Sequence, residues 1–210
     1  MRLSKLVENF WKLKPGKTYR CKYPGHSDHY QDHVQIGEYF SEHLNGYTRA
    51  SIWLLHNNPI SIYIPEAGMI LVSDCGYKTM LTYSRLNAIL LDRGFSFFRI
   101  FTGEYRYGFM RDTERDMFYI MPPRGYLAIN LATREVSPGG GLNWLFAIPG
   151  EFFQEFEKTA RYLSRRYGVT IRDIVCGIPR DVERRLKEQT KEKIGFFRLF
   201  SVAANGNGRN

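Results

Sequence analysis

Ile52-Trp53-Leu54-Leu55-His56-Asn57-Asn58-Pro59-Ile60-Ser61-Ile62-Tyr63-Ile64-Pro65-Glu66-Ala67-Gly68-Met69-Ile70-Leu71-Val72 holds three short segments of aliphatic, β-branched and aromatic residues, cut by two groups of turn residues. Ile52–Leu55, Ile60–Ile64 and Met69–Val72 are too short for a helix with an apolar stripe and have the composition of strands. Asn57-Asn58-Pro59 breaks the first from the second. Glu66-Ala67-Gly68 is a compact hairpin connection in which the glycine is free to take positive φ. The spacing predicts an antiparallel meander. Beyond it, Cys75-Gly76-Tyr77-Lys78-Thr79 leads to a short helix from Ser84 to Leu90, with Ser84 as N-cap and Asp92-Arg93-Gly94 as the stop.

Further strands follow. Phe95 to Phe101 is apolar, and Tyr105, Tyr107 and Phe109 alternate with Arg106, Gly108 and Met110 in the period of two of a half-buried strand. Met117 to Met121 and Tyr126 to Leu131 are strands separated by turns, and Ser137-Pro138-Gly139-Gly140-Gly141 reads as a linker. At the N-terminus, Leu3, Leu6, Val7, Phe10 and Trp11 share a helical face up to Pro15-Gly16. Such a helix docks on its own domain or, with Lys5, Lys12 and Lys14 beside Trp11, lies on a membrane surface. A second short helix is expected from about Asp32 to Leu44, closed by Asn45-Gly46.

After Pro149-Gly150 the pattern turns helical. Phe152, Phe153, Phe156, Ala160, Leu163 and Tyr167 mark one helix ended by Gly168, Thr170 caps the next, and Asp181 to Ile194 gives a third. The fold class is therefore α+β: an antiparallel meander with packed helices and a C-terminal helical appendage. The expected organisation is an α+β domain over 1–136, a Gly/Pro linker and strand over 137–149, a basic helical segment over 150–200 and a disordered tail over 201–210.

The chain has 210 residues and a formal charge of +9, enough length for a real core. Its apolar runs fall well short of the ~20 residues that cross a bilayer. The first residues lack a secretory pattern, and three scattered cysteines argue against a disulfide framework, so the expected setting is cytoplasmic. The charge is concentrated at the two ends while the middle is slightly acidic. That distribution favours an anionic partner, nucleic acid foremost.

Leu163, Ser164, Gly168, Val169, Thr170 and Ile174 fill places that give the segment a resemblance to the helix-turn-helix family of DNA-binding modules. The resemblance implies a left-handed turn at the glycine, a capping hydroxyl at Thr170 and a second helix directed to the major groove. Gly177 stands where a further apolar residue belongs, which shortens that helix. Arg161, Arg165, Arg166, Thr170, Arg172, Arg180, Arg184 and Arg185 remain candidates for phosphate contacts, which need charge and reach but no base geometry. The alternative is a plain helical bundle whose arginines are solvated or paired with Glu183 and Glu188.

His26, His29 and His33 lie close together, with Cys21, Asp28 and Asp32 nearby. If the segment is helical, His29 and His33 share a face and can ligate Zn²⁺, with His26, Cys21 or a carboxylate completing the shell; otherwise they are surface histidines and no cofactor is expected. Phe98-Arg99, Tyr105-Arg106-Tyr107 and Phe109-Met110-Arg111 alternate rings with guanidinium groups. That pattern either stacks bases and holds phosphates or places rings in a core and charges in water.

Gly76, Tyr77, Thr79, Thr82, Arg85, Leu86 and Asn87, in this order, resemble a segment of small uncharacterised bacteriophage proteins. The resemblance implies a phage or host-cytoplasm setting and no catalytic residue. Read physically, Thr79 and Thr82 cap or turn, Leu86, Ile89 and Leu90 pack on the sheet, and Arg85 and Asn87 face out or bind backbone. The function expected is a non-enzymatic nucleic-acid-associated accessory protein acting through its basic C-terminal helices. The alternatives are a protein-interaction or virion-associated component, and a metal-dependent enzyme built on His26, His29 and His33.

Overall fold

A computed structural model describes residues 2–13, 18–22, 31–41, 46–102, 105–122, 125–139, 147–171 and 173. In chain order the elements are α1 (Leu3–Lys12), β1 (Thr18–Lys22), β2 (Gln31–Ser41), β3 (Gly46–Leu55), β4 (Asn58–Ile64), β5 (Met69–Val72) and α2 (Met80–Leu90). A 3-10 turn at Leu91–Arg93 precedes β6 (Phe95–Thr102), β7 (Tyr105–Asp112), β8 (Met117–Ile120), β9 (Tyr126–Asn130), β10 (Val136–Gly139), β11 (Ala147–Pro149) and α3 (Gly150–Tyr167). The fold is α+β, with antiparallel sheets. Contacts divide it into two compact units, Met1–Phe97 with Met121–Asn143, and Phe98–Ile120 with Trp144–Asn210.

In the first unit a seven-stranded sheet runs in the order β1-β2-β3-β4-β5-β9-β10. The predicted meander is its centre, with Ile62 opposite both Ile52 and Leu71. The break at Asn57-Asn58-Pro59 is tighter than expected, because His56 and Asn57 both take positive φ and form the turn by themselves. Asn58 and Pro59 then pair with Leu55 and Leu54. A register shift between Trp53 and Leu54 accompanies that pairing, at the place where proline withholds a donor from the ladder.

The helix expected from Asp32 to Leu44 is replaced by β2. Its true period is two: Asp32, Val34 and Ile36 are buried, while Gln35 is exposed and His33 and Gly37 are half-buried between and beside them. The ladder comes from β3, with Val34 opposite Trp53. Ser137-Pro138-Gly139, expected as linker, pairs with β9 as an edge strand, where proline is tolerated. Helix α2 begins about one turn before Ser84, since Thr79 Oγ1 accepts the Thr82 N–H at 3.2 Å.

Helix α1 docks on this sheet through Leu6, Asn9 and Phe10, all buried. The Phe10 ring stands 5.9 Å from Trp53, and Trp11 lies 4.7 Å from Tyr63. The apolar face that a membrane would have taken is thus covered by the helix's own sheet. Leu86, Ile89 and Leu90 of α2 complete the core with Ile70, Val72, Leu127 and Ile129. Each such side chain contributes about 1.5–3 kcal/mol on burial.

The second unit is a four-stranded sheet, β11-β8-β7-β6, with α3 against one face. Ile100, Phe109, Phe118, Ile120 and Ile148 meet Phe153, Phe156, Ala160 and Leu163 in one cluster. Phe118 and Phe153 stack at 3.8 Å with their planes 8° apart. At the start of the helix the Gly150 N–H donates to the Asp116 carbonyl at 2.7 Å, and a Cβ there would require the exposed Asp116 carboxylate to move aside.

Candidate functional site

Helix α3 separates its charges along its length. Glu151, Glu155 and Glu157 lie towards its start, and Lys158, Arg161, Arg165 and Arg166 towards its end, the arrangement that complements the helix dipole. Lys158, Arg161 and Arg165 recur at intervals of three and four and so form one stripe. All three, and Arg166, are exposed. Arg161 Nη2 donates to Glu157 Oε1 at 2.6 Å, while Arg165 and Arg166 have no carboxylate partner among the described residues. Lys158 escaped the sequence reading, although its spacing from Arg161 was the signal that finds it.

The turn that follows is built as its residue types require. Gly168 takes φ 67°, and its N–H donates to the Ser164 carbonyl at 2.9 Å. Such a φ favours glycine because a Cβ there crowds the neighbouring carbonyl. Thr170 Oγ1 accepts the Asp173 N–H at 3.1 Å and donates to Asp173 Oδ2 at 2.7 Å, and the same carboxylate oxygen accepts the Thr170 N–H at 2.8 Å. This reciprocal cap employs the hydroxyl that the sequence had assigned to a phosphate. Leu163, Val169 and Ile171 are buried in the aromatic cluster, and the Ile171 N–H donates to Tyr107 Oη at 3.2 Å. Arg172, Arg180, Arg184 and Arg185 lie outside the described residues.

Of the histidine cluster, His33 lies in β2 opposite Arg20 and Leu54, and is half-buried. The helical premise for pairing it with His29 therefore fails at His33, while His26 and His29 lie outside the described residues. Asp32, its neighbour, points to the other face of the sheet. It is fully buried and accepts from Trp53 Nε1 at 3.0 Å and from Arg85 Nε at 2.8 Å, so it serves the core. Arg85 is accordingly buried, not outward, whereas Asn87 binds backbone as expected, through both the N–H and the carbonyl of Phe97.

The aromatic and basic alternation of β6 and β7 is sorted by face. Phe98, Tyr107 and Phe109 join the cluster under α3. Arg99, Phe101 and Arg106 fall on the opposite face by strand alternation, with Phe101 41% exposed. The guanidinium carbons of Arg99 and Arg106 stand 5.1 and 5.5 Å from the centre of the Phe101 ring.

The first unit holds a cavity of about 270 Å³ between the β3–β4 turn and the start of α2, lined by Leu55, Ile60, Leu81, His56, Asn58 and Asp74 among others. The carboxylate among its described lining residues is engaged: Asp74 accepts the Gly76 N–H at 2.9 Å and the Tyr83 hydroxyl at 2.9 Å. The neighbouring Cys75 thiol reaches the Pro59 carbonyl at 3.2 Å, and burial pushes its pKa above the usual thiol range. Among the described residues, no three His, Cys, Asp or Glu side chains are grouped to hold a metal ion. No described helix is long and apolar enough to cross a membrane. Comparison with family models, curated proteins and solved structures finds no match.

Proposed function

We propose that the protein is a non-enzymatic nucleic-acid-associated accessory factor, of the phage setting that its central segment implies, and that it contacts phosphates through the basic end of α3. What supports this reading is the charge pattern of that helix. Its last turns carry exposed Lys158, Arg161, Arg165 and Arg166, and the latter two have no carboxylate beside them among the described residues. Cations on a helix face can neutralise successive backbone phosphates without reading bases. Binding to random duplex and single-stranded DNA across a salt series tests it. Affinity falls steeply with salt, and the Arg165→Glu/Arg166→Glu variant loses most of it; negligible binding of the parent at low ionic strength ends the proposal.

A second reading, a protein-interaction component, is favoured by α2. Met80 and Leu91 are 66% and 56% exposed, and Met80, Ser84, Ala88 and Leu91 follow one helical stripe that bears no charge. A pull-down in which Met80→Lys abolishes capture, with no nucleic-acid binding by the parent, decides for this reading.

A further inference from the structure

We infer that Phe101, flanked by Arg99 and Arg106, is a base-stacking platform for single-stranded nucleic acid. The inference rests on the reading that this protein binds nucleic acid and adds which form of it and through which residues. Of the rings in β6 and β7, Phe98, Phe109 and Tyr107 join the aromatic cluster under α3, while Phe95 and Phe97, on the strand face of Phe101, are buried. Phe101 alternates to the far face and keeps 41% of its surface exposed, although a ring of this size is ordinarily hidden.

Two cations, Arg99 and Arg106, flank it. At 5.1 and 5.5 Å from the ring centre, both guanidinium groups stand within cation–π range of the ring. A flat, uncharged base can come against that ring, and the arginines then lie within reach of the phosphates that flank it. An acidic peptide would match the positive charges and leave the ring without a matching plane. A base inside a duplex has both its faces covered by neighbours, so the platform selects unpaired bases. Phe101 stands in an edge strand of its sheet, where an extended chain passes without meeting another strand.

The platform and the α3 stripe are on opposite sides of that sheet, which allows separate tests. Affinity is measured by fluorescence anisotropy for a short oligothymidylate and for an abasic deoxyribose-phosphate oligomer of equal length. The parent prefers the oligomer with bases by about tenfold or more. Phe101→Ala brings that ratio to about one and leaves abasic affinity unchanged, Phe101→Trp keeps it, and Arg165→Glu/Arg166→Glu weakens both oligomers equally with the ratio intact. Circular dichroism confirms that each variant is folded. A parent that binds both oligomers equally, or a Phe101→Ala protein that retains the preference, overturns the platform while backbone binding stands. A parent that binds neither oligomer nor duplex overturns the platform together with the proposed function.

Discussion

Asp32 is fully buried, and each of its carboxylate oxygens accepts a hydrogen bond, one from Trp53 and one from Arg85. A buried ion left without its counter-charge is costly, so Arg85→Met is expected to destabilise the protein by about 3–5 kcal/mol in urea titration. Asp32→Leu added to Arg85→Met returns only part of that loss: it removes the unpaired buried charge but leaves the buried Trp53 indole N–H without its acceptor, a cost of about 1–3 kcal/mol. A double variant no more stable than the single one contradicts this account. The pair was illegible beforehand because its members are 53 residues apart and each taken alone suits a surface. Cys75 gives a second expectation at this scale. Burial, with the Asp74 charge beside it, raises its pKa, so the thiolate is scarce at neutral pH. Peptide-resolved iodoacetamide labelling should find Cys75 slow at neutral pH and fast only in alkali, and rapid neutral labelling contradicts that assignment.

At the level of elements, the sequence was most legible where local signals act alone. The Gly168 cap, the Thr170 cap and the α1 stripe depend on neighbours within one or two turns, and all three stand as read. Strand β2 was misread because its period of two is carried by few apolar residues and its partner β3 lies further along the chain. The start of α2 was misplaced because Thr79 and Ser84 are equally good caps in sequence, and only the Thr79 hydroxyl meets a free N–H. Thr170→Ala should cost about 1 kcal/mol in chemical denaturation, with Asp173 losing its hydroxyl donor.

Helix α1 carries a pH-dependent element. Glu8 lies between Lys12 and Lys5, whose hydrogen bonds, Lys12 foremost, lower its pKa from 4.5 to about 2. A carboxyl whose folded pKa lies below its unfolded value adds stability above the latter and loses it as pH falls towards the former. The thermal midpoint of the parent should therefore exceed that of Glu8→Gln at neutral pH, and the gap should close between pH 4.5 and about 2. Because the trio is exposed, salt should narrow the gap as well. A gap independent of pH excludes the ion pairs as its cause.

For the molecule as a whole, the two units are interleaved along the chain: the second is built from Phe98–Ile120 and Trp144–Asn210, with part of the first between them. Local periodicity marks α3 as a helix but carries no information about which strands it covers. The cluster supplies that: Ile100, Phe109, Phe118 and Ile120 come from one segment, and Ile148, Phe153, Phe156 and Leu163 from the other. Cutting the chain after residue 143 would uncover a sheet face whose side chains each gain about 1.5–3 kcal/mol from burial. The fragment 1–143 should therefore bind a hydrophobic dye and aggregate. The fragment 144–210 should lack a cooperative thermal transition, because an isolated helix the length of α3, 18 residues, is marginal in water. Mixing the two restores the cooperative transition if the aromatic cluster is what joins them. A soluble, dye-silent 1–143 beside an independently melting 144–210 would instead make the C-terminal segment a self-sufficient module, and the stacked rings of Phe118 and Phe153 incidental to the fold.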